Sequence, residues 1–218
     1  MTINNHPSKP GQRLIAVTGG IGSGKSVVCR ILSSLGYPVY DCDSRAKALM
    51  AASEEIKEVL RGRITPDAVN PDGTLNRAAI AEVVFSNPDK LAILDRTVHA
   101  AVNADIAAWR ETAGGRTPDA GTALLFIESA IPFKSGLHKI VDDIWEVAAP
   151  EEVRVARAVK RDNVSEEAVR KRIASQAAES PDAFASANPS TALSYRTILN
   201  DGTSPLLPQI LNLIEATR

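Results

Sequence analysis

The sequence is poor in the features that define several large classes of protein. Only two cysteines occur in 218 residues, Cys29 and Cys42, and no C-x-x-C motif is present, so a disulfide framework is excluded. No uninterrupted apolar stretch approaches the roughly 20 residues that cross a membrane. The 25 basic and 26 acidic residues leave a net charge of -1, which gives no support for a nucleic-acid partner. These features predict a cytoplasmic globular protein without a nucleic-acid or membrane partner.

The start of the chain and its composition bound the number of domains. Residues 1–11 are polar, contain proline and lack the apolar segment of a secretion signal, so we expect a disordered leader. Hydrophobic residues make up 44% and charged residues 23%, which is usual for a globular protein. The length is enough for one core with insertions, so we predict a single domain over residues 12–218.

Residues 18–26, with the sequence TGGIGSGKS, fit the pattern G-x-x-x-x-G-K-[ST]. The glycines allow a tight turn that brings backbone N–H groups against phosphate oxygens. Lys25 supplies a positive charge for the β- and γ-phosphates, and Ser26 supplies a hydroxyl for Mg²⁺. An apolar run at 14–17 precedes the loop, and apolar residues at helical spacing follow it, as the motif requires. We therefore predict an ATP-binding phosphate loop whose contacts come from Gly20, Gly22, Ser23, Gly24, Lys25, Ser26 and Val27.

Further apolar segments have the length of buried strands, at residues 38–40, 122–127, 142–148 and 195–199. Helical patterns separate them, which is typical of a parallel sheet. The sequence therefore predicts an α/β fold, a P-loop NTPase-type parallel sheet flanked by helices. Its core would comprise residues 12–43, 121–150 and 195–218.

Acidic residues follow two of these strands. Asp41 and Asp43 come after the second strand, at the end where open α/β sheets bind ligands. Asp43 is either a functional carboxylate or the cap of a helix that begins just after it. Cys42 would point to the opposite face of the strand and is interpreted as packing. Glu128 ends the third strand like the second Mg²⁺-side carboxylate of phosphate-loop enzymes, so we predict that Ser26 and Glu128 hold Mg²⁺.

Between the second and third strands, residues 44–115 read as helical, which predicts an inserted helical subdomain that binds substrate. The segment Asn87-Pro-Asp is a strong signal for the start of its long last helix. His99 lies beside the apolar stripe of that helix and is either a structural histidine or a ligand contact. Arg77 is either a solvated charge or a substrate contact.

Residues 151–180 are predicted to form a helical pair rich in cations. Arg154, Arg157 and Arg161 share one helix face at i, i+3 and i+7 spacing. A solvated cationic face is one interpretation. We favour a helical lid that closes over the triphosphate, because phosphoryl transfer needs more cations than one lysine supplies.

Taken in order, these motifs resemble the dephospho-coenzyme A kinase family over nearly the whole chain from about Arg13. The resemblance is carried by the phosphate loop and by Asp41-x-Asp43, Asp72-Gly-x-Leu-Asn-Arg77, Val84-Phe85, His99, Arg157-x-x-x-Arg161-Asp, Arg172-Ile-x-x-Gln176 and Ile198-x-Asn200-x-Gly202. The chain departs from the usual family pattern with Ala100 after His99, and with Lys134 in the last acidic position after the third strand.

The resemblance implies transfer of the ATP γ-phosphoryl group, with Mg²⁺, to the ribose 3′-hydroxyl of dephospho-CoA, the last step of coenzyme A synthesis. It implies that Asp43 accepts the hydroxyl proton, while Lys25 and Arg161 offset charge on the phosphates. Further nucleotide or substrate contacts are implied for Arg77, His99, Arg157 and Asn200. The partner expected is therefore a small molecule, and the protein is expected to be a monomer or a weak homo-oligomer.

Three alternatives use the same phosphate loop. The first is another small-molecule kinase that acts on a nucleoside, a nucleotide or a sugar acid. The second is a nucleotide-dependent switch, which requires D-x-x-G and N-K-x-D strings that do not occur in the sequence. The third is a homologue that binds ATP without turnover, an alternative motivated by Lys134.

Overall fold

The computed structural model describes residues 11–118, 121–176 and 193–218. Most of the predicted leader, the last four residues of the predicted lid and most of the segment before the last strand lie outside these ranges. The described residues divide into two compact units, one formed by Asp41–Trp109 and the other by the remaining residues. In chain order the elements are β1 Gln12–Thr18, α1 Lys25–Ser34, β2 Val39–Asp41, α2 Cys42–Ala52, α3 Glu54–Arg63, α4 Arg77–Ser86, α5 Pro88–Ala113, β3 Ala123–Glu128, β4 Asp143–Ala148, α6 Glu151–Asp162, α7 Glu166–Ser175, β5 Ser194–Leu199 and α8 Leu206–Thr217.

The first unit is built on a five-stranded sheet in the order β2-β3-β1-β4-β5. The pairs β1–β3, β1–β4 and β4–β5 are parallel, and Val17 of β1 is in register with Glu128 of β3. Five consecutive residues of β3 are buried, as expected for a central strand covered on both faces. The predicted α/β fold with a parallel sheet flanked by helices is confirmed.

The main core of this unit joins the sheet to helices α1 and α8. Val28 and Leu32 of α1 and Ile210 of α8 pack on side chains of the central strands. Phe126 and Trp145, on β3 and β4, meet edge-to-face with ring centroids 5.0 Å apart. This packing holds α1 against the sheet, and the phosphate loop enters α1 directly.

Helices α6 and α7 form a hairpin within the first unit. The turn between them is made by Asn163, which adopts a left-handed conformation (φ 52°), and by Ser165, whose side chain accepts a hydrogen bond from the N–H of Ala168. A small apolar cluster around Val155, Ala158 and Val169 fills the space between the two helices. The helical pair predicted within residues 151–180 is therefore found in the described part of that range.

The second unit is helical and has a core of its own. Ile56, Leu60, Ile80 and Val84 are its main buried side chains. Its helices begin at residues suited to capping: the side chains of Ser53, Asn76 and Asn87 accept hydrogen bonds from backbone N–H groups in the first turns of α3, α4 and α5. The start signal at residue 87 is therefore confirmed, since α5 begins at Pro88.

Two local predictions are wrong at element ends. Asp41, and not Asp43, caps the helix after β2, because its carboxylate accepts hydrogen bonds from the N–H groups of Asp43 and Ser44. Cys42 is the first residue of α2, so it does not lie on a strand with its side chain directed to the opposite face. Helix α2 therefore begins at Cys42, two residues before the start that an Asp43 cap would give. No helix within the described ranges is long and apolar enough to span a bilayer.

Candidate nucleotide-binding site

The phosphate loop links β1 to α1 and is closed on one side by Asn200. Gly24 is the N-cap of α1 with φ 97°, and a Cβ at this position would overlap the side-chain amide of Asn200. The amide nitrogen of Asn200 donates to the backbone carbonyl of Ser23 over 2.7 Å, at a buried position. Within the loop, the N–H of Ser23 donates to the carbonyl of Gly20 over 3.1 Å. The loop is therefore held in shape by a residue 177 positions away, next to the predicted nucleotide.

The two residues predicted to hold Mg²⁺ lie in direct contact. The hydroxyl of Ser26 donates to Oε1 of Glu128 over 2.7 Å. The contact is possible because β1 and β3 are neighbours, so the loop that follows one strand and the carboxylate at the end of the other share one edge of the sheet. Hydroxyl and carboxylate oxygens are ligands that Mg²⁺ prefers.

In the part of the chain that the structure describes, the support for a metal site comes from the pair of Ser26 and Glu128. No cluster of three or more histidine, cysteine, aspartate or glutamate side chains that could hold a metal occurs in the part of the chain that the structure describes. Mg²⁺ usually binds phosphate-transferring enzymes through one or two protein ligands and the substrate phosphates. A hydroxyl–carboxylate pair beside a phosphate loop fits that mode.

Lys25 and Val27 lie in the first turn of α1. The ammonium group of Lys25 donates to the carbonyl of Gly19 at the start of the loop. Val27 is 38% exposed, a high value for a large apolar side chain. Both residues thus belong to the helix terminus whose N–H groups and partial positive charge suit an anion.

The arginines of α6 have three different environments. Nε of Arg154 donates to the carbonyl of Ile21 in the loop over 3.0 Å. The guanidinium of Arg157 donates to the backbone carbonyl and the side-chain oxygen of Asn200 over 3.0 and 3.3 Å. Arg161 forms two hydrogen bonds to the neighbouring carboxylate of Asp162, over 2.7 and 2.9 Å, and its side chain is 63% exposed.

The Arg161–Asp162 pair shifts the pKa of both of its members. The hydrogen bonds from Arg161 hold the pKa of the Asp162 carboxyl below its usual range, and Asp162 in turn raises the pKa of the Arg161 guanidinium. Arg172 of α7 lies 3.6 Å from the same carboxylate. Two cations of the hairpin therefore share one anion.

Two residues contact the loop itself in a way that the sequence does not predict. Arg154 is predicted to belong to a lid over the triphosphate, and Gln176 is named only in a family string. Oε1 of Gln176 accepts a hydrogen bond from the N–H of Ile21 over 2.9 Å. The helical spacing of the arginines was the available signal for Arg154, but nothing local in the sequence marks Gln176 as a partner of a residue 155 positions away.

The turn after β5 places Asn200. Asp201 accepts hydrogen bonds from the N–H groups of Ser204 and Thr203, over 2.7 and 2.8 Å, and these bonds lower the pKa of its carboxyl strongly. The N–H of Asn200 donates to the carbonyl of Ala148 over 2.8 Å. Asn200 is thus fixed by the hydrogen bond from its own N–H and by the turn that Asp201 closes immediately after it.

The second unit contains the other predicted site residues. Asp43 lies in the first turn of α2 and is exposed. Arg77 is the first residue of α4 and is also exposed, whereas His99 is half-buried on α5.

A groove of about 220 Å³ lies within the second unit. Its walls are mainly apolar and come from α2, α4, α5 and the segment before α4, with Lys47 and Arg77 as its charged members. Phe85 contributes to the wall although its side chain is 85% exposed, the highest value among the large apolar side chains of the described residues. A large apolar ring left in water beside an apolar groove is typical of a surface that binds a ligand.

Comparison with known proteins gives consistent matches over most of the chain. A family model described as dephospho-CoA kinase matches residues 13–188. A Porphyromonas gingivalis protein named dephospho-CoA kinase is 41% identical over 204 residues, which cover 94% of each chain. A protein of Chlorobium chlorochromatii with the same name is 37% identical over 198 residues, 89% of this chain and 88% of that one.

Solved structures agree with these matches. A Thermus thermophilus protein superimposes with a TM-score of 0.68 at 31% identity, over 94% of this chain and 96% of its own. A dephospho-CoA kinase from Campylobacter jejuni superimposes with a TM-score of 0.61 at 22% identity, over 94% of this chain and 96% of its own, and shares the fold.

Proposed function

The chain belongs to the dephospho-CoA kinase family, and we propose that it transfers the γ-phosphoryl group of ATP to the ribose 3′-hydroxyl of dephospho-CoA. In that reaction the bond between the γ-phosphorus and the β,γ-bridging oxygen breaks, and a bond from the γ-phosphorus to the 3′-oxygen forms. The observation that carries the proposal is the phosphate loop with the Ser26–Glu128 pair at its edge. A loop of this kind binds a nucleoside triphosphate, and the acceptor hydroxyl must be aligned with its γ-phosphorus.

The first unit supplies the part of the site that handles phosphate. Phosphoryl transfer leaves little covalent chemistry to the protein, which must align the reactants and offset charge on the transferring oxygens. We assign that offset to the loop N–H groups, to Lys25 and to Arg161. Arg157 and Asn200 would hold the nucleotide beside the loop, since they contact each other next to Ser23.

Ser26 and Glu128 would hold Mg²⁺. When bound, such an ion neutralises charge that develops on the phosphate oxygens. The hydroxyl of Ser26 and the carboxylate of Glu128 already lie within a hydrogen bond of each other, so both oxygens are placed before any ligand arrives. This arrangement reduces the reorganisation needed on binding.

The second unit supplies the groups proposed for the acceptor. Asp43 would take the proton of the 3′-hydroxyl as the new bond to phosphorus forms, since it is an exposed carboxylate beside a helix start. Arg77 is proposed to pair with the phosphates of the acceptor, and His99 to contact it. The apolar groove fits the extended pantetheine arm, whose atoms are mostly uncharged.

The reaction is tested with purified protein, ATP and magnesium. Dephospho-CoA, adenosine, nucleoside monophosphates and gluconate are offered separately, and both ADP formation and the mass of the product are measured. We expect dephospho-CoA to be converted to coenzyme A, with little ADP formed from the other acceptors. Selective turnover of any other acceptor would refute the proposal, and ATP binding without turnover of all of them would identify an inactive homologue.

The role of Asp43 has a matched test. Asp43→Asn should lower kcat for dephospho-CoA by roughly 100-fold or more and leave ATP binding nearly unchanged, because a general base is lost. Asp89→Asn is the control, since Asp89 is also an exposed acid in the first turn of a helix of the second unit. Equal turnover of the two variants would remove Asp43 from the mechanism.

We further propose that the protein works in the cytoplasm, as a monomer or a weak homo-oligomer. Its substrates are charged small molecules that do not cross membranes unaided. Cell fractionation with an antibody against the protein, and light scattering of the purified chain over a range of concentrations, test the two statements.

A further inference from the structure

Ile21 stands at a position of the phosphate loop where the motif accepts any residue, yet its backbone and its side chain all contact the α6–α7 hairpin. Its N–H donates to Oε1 of Gln176 over 2.9 Å, and its carbonyl accepts from Nε of Arg154 over 3.0 Å. Both of its backbone polar groups are thus bound by side chains, one at the end of α7 and the other on α6. Phosphate binding by the loop does not by itself require hydrogen bonds from Ile21 to these two side chains.

The side chain of Ile21 enters the same hairpin. It packs against the apolar cluster between α6 and α7, formed by Val155, Ala158 and Val169. Next to it, a Cβ at Gly22 would overlap the backbone carbonyl of Arg154, so the loop and α6 are in van der Waals contact. The hairpin therefore contacts the loop through two hydrogen bonds and one apolar contact of Ile21, with Gly22 packed beside them.

The contacts involve the same helix that carries Arg161. Arg154 and Arg161 are seven residues apart on α6 and so lie on one face, two turns from each other. A change in the conformation of the Ile21 peptide would therefore alter the contacts that position α6, and a movement of α6 would displace the Ile21 peptide. Packed contacts of this kind shift between discrete arrangements and do not deform gradually.

We infer that Ile21 is a positioning residue that couples the phosphate loop to the α6–α7 hairpin, so that nucleotide in the loop sets the position of Arg161. The inference rests on the proposed function for the role of Arg161 but not for the coupling itself, which requires only nucleotide binding. It also assigns Gln176 a role as the acceptor that fixes the Ile21 peptide from the α7 side.

The coupling is tested by hydrogen exchange, which needs no turnover. Amides of residues 151–176 are followed in the presence and absence of the non-hydrolysable ATP analogue AMP-PNP with magnesium. We expect added nucleotide to slow exchange of these amides roughly tenfold in the wild-type protein, and to slow it clearly less in Ile21→Ala at saturating nucleotide, because that variant loses the apolar contact but keeps both backbone hydrogen bonds. Ile21→Val should restore most of the protection. Protection in Ile21→Ala as large as in the wild type, or the absence of protection in the wild type, would overturn the inference.

Val164→Ala is the matched control, because Val164 packs on the same cluster but lies in the turn between the helices. If this variant loses protection as fully as Ile21→Ala, the hairpin is merely destabilised and the coupling is refuted. Gln176→Leu provides a second route should Ile21→Ala fail to fold. It removes the acceptor of the Ile21 N–H and should also abolish most of the protection.

Turnover provides an independent readout. If Arg161 acts through the coupled hairpin, Arg161→Ala should reduce kcat roughly tenfold less in an Ile21→Ala background than in the wild type. Fully multiplicative effects of the two substitutions would contradict the coupling. A wild-type protein that leaves dephospho-CoA unmodified would instead refute the proposed function, while the exchange experiment would still decide the role of Ile21.

Discussion

The two units differ in how their candidate binding surfaces are assembled. In the first unit, polar contacts join residues far apart in the chain: Asn200 to Ser23 across 177 positions, Arg154 to Ile21 across 133 and Ser26 to Glu128 across 102. In the second unit, the groove is lined mainly by apolar side chains drawn from residues 47–94. The first surface consists of hydrogen-bonding groups in fixed positions, and the second is an apolar groove.

The difference follows from what each surface is proposed to bind. A triphosphate is recognised by donors and cations whose positions must be accurate, and a parallel sheet brings such groups together at the ends of its strands. An uncharged arm is held by burial of apolar area, which is not directional. Substitutions in the first unit should therefore act on turnover and on nucleotide, and substitutions in the groove only on the affinity for the acceptor.

The largest effect is expected from Lys25→Ala. The loop ammonium is proposed to offset charge on the transferring group, so its removal should lower kcat/KM by roughly 1000-fold. Lys139→Ala, which removes an exposed lysine elsewhere in the first unit, should leave the rate nearly unchanged. Steady-state kinetics with ATP varied measures both, and a similar loss in the two variants would show that net charge, not the loop, governs the rate.

A smaller effect is expected from Glu128→Gln. Loss of the carboxylate partner of Ser26 should raise the Mg²⁺ concentration for half-maximal activity by roughly tenfold, since a proposed metal ligand is weakened. Glu215→Gln, on the exposed face of α8, serves as the control. Magnesium titrations at fixed ATP distinguish them, and identical titration curves would exclude Glu128 from the metal site.

In the groove, Phe85→Ala should raise KM for dephospho-CoA by roughly tenfold and leave KM for ATP unchanged, because an aromatic side chain that becomes buried on binding is lost. Leu207→Ala removes an exposed apolar side chain of the first unit and should change neither constant. An effect of Phe85→Ala on KM for ATP as large as that on the acceptor would abolish the distinction between the two surfaces.

The smallest effect is a pH dependence. Because hydrogen bonds to Ser204 and Thr203 lower the pKa of Asp201 in the folded protein, its ionised form stabilises the fold above the unfolded pKa, about 3.9. That contribution is lost as the pH falls through the lowered folded pKa. Asp201→Asn should therefore lower the urea midpoint of unfolding at pH 7. The difference in midpoint between the variant and the wild type should become smaller below about pH 5.

The second unit offers a counterpart for this measurement. Hydrogen bonds from the hydroxyl and N–H of Thr74 lower the pKa of Asp72, which also closes a turn. Asp72→Asn should show the same narrowing with pH, but only Asp201→Asn should also raise KM for ATP, since Asp201 adjoins Asn200. If the difference in urea midpoint between Asp201→Asn and the wild type instead grows as the pH falls, the lowered pKa of Asp201 is contradicted.

Much of the fold was predictable because its signals are local. The phosphate loop stands between an apolar run and a helical pattern, and β1 and α1 were found there. The start signal at Asn87 marked a helix start correctly, and the helical pair predicted within residues 151–180 was found as α6 and α7. The errors at Asp41 and Cys42 arose because two aspartates two positions apart can both cap a helix in this segment, and only the backbone conformation selects one.

The candidate site was predictable in its parts but not in its connections. Lys25, Ser26 and Glu128 were singled out by residue type and by position at strand ends, and Ser26 and Glu128 are in contact. Arg161 was predicted to lie over phosphates, and in the structure it is bound to Asp162. Gln176 received no role because a single glutamine near a helix end carries no chemical signature of its own.

By itself the sequence determined which chemical groups are available to this protein: a glycine-rich turn that fits the phosphate-loop pattern, acids at strand ends and a cationic helix pair. The tertiary structure alone decided which of these groups meet. Hydrogen bonds between residues more than 100 positions apart depend on strand order and helix packing, and these are set by burial of the whole apolar pattern, not by any local string.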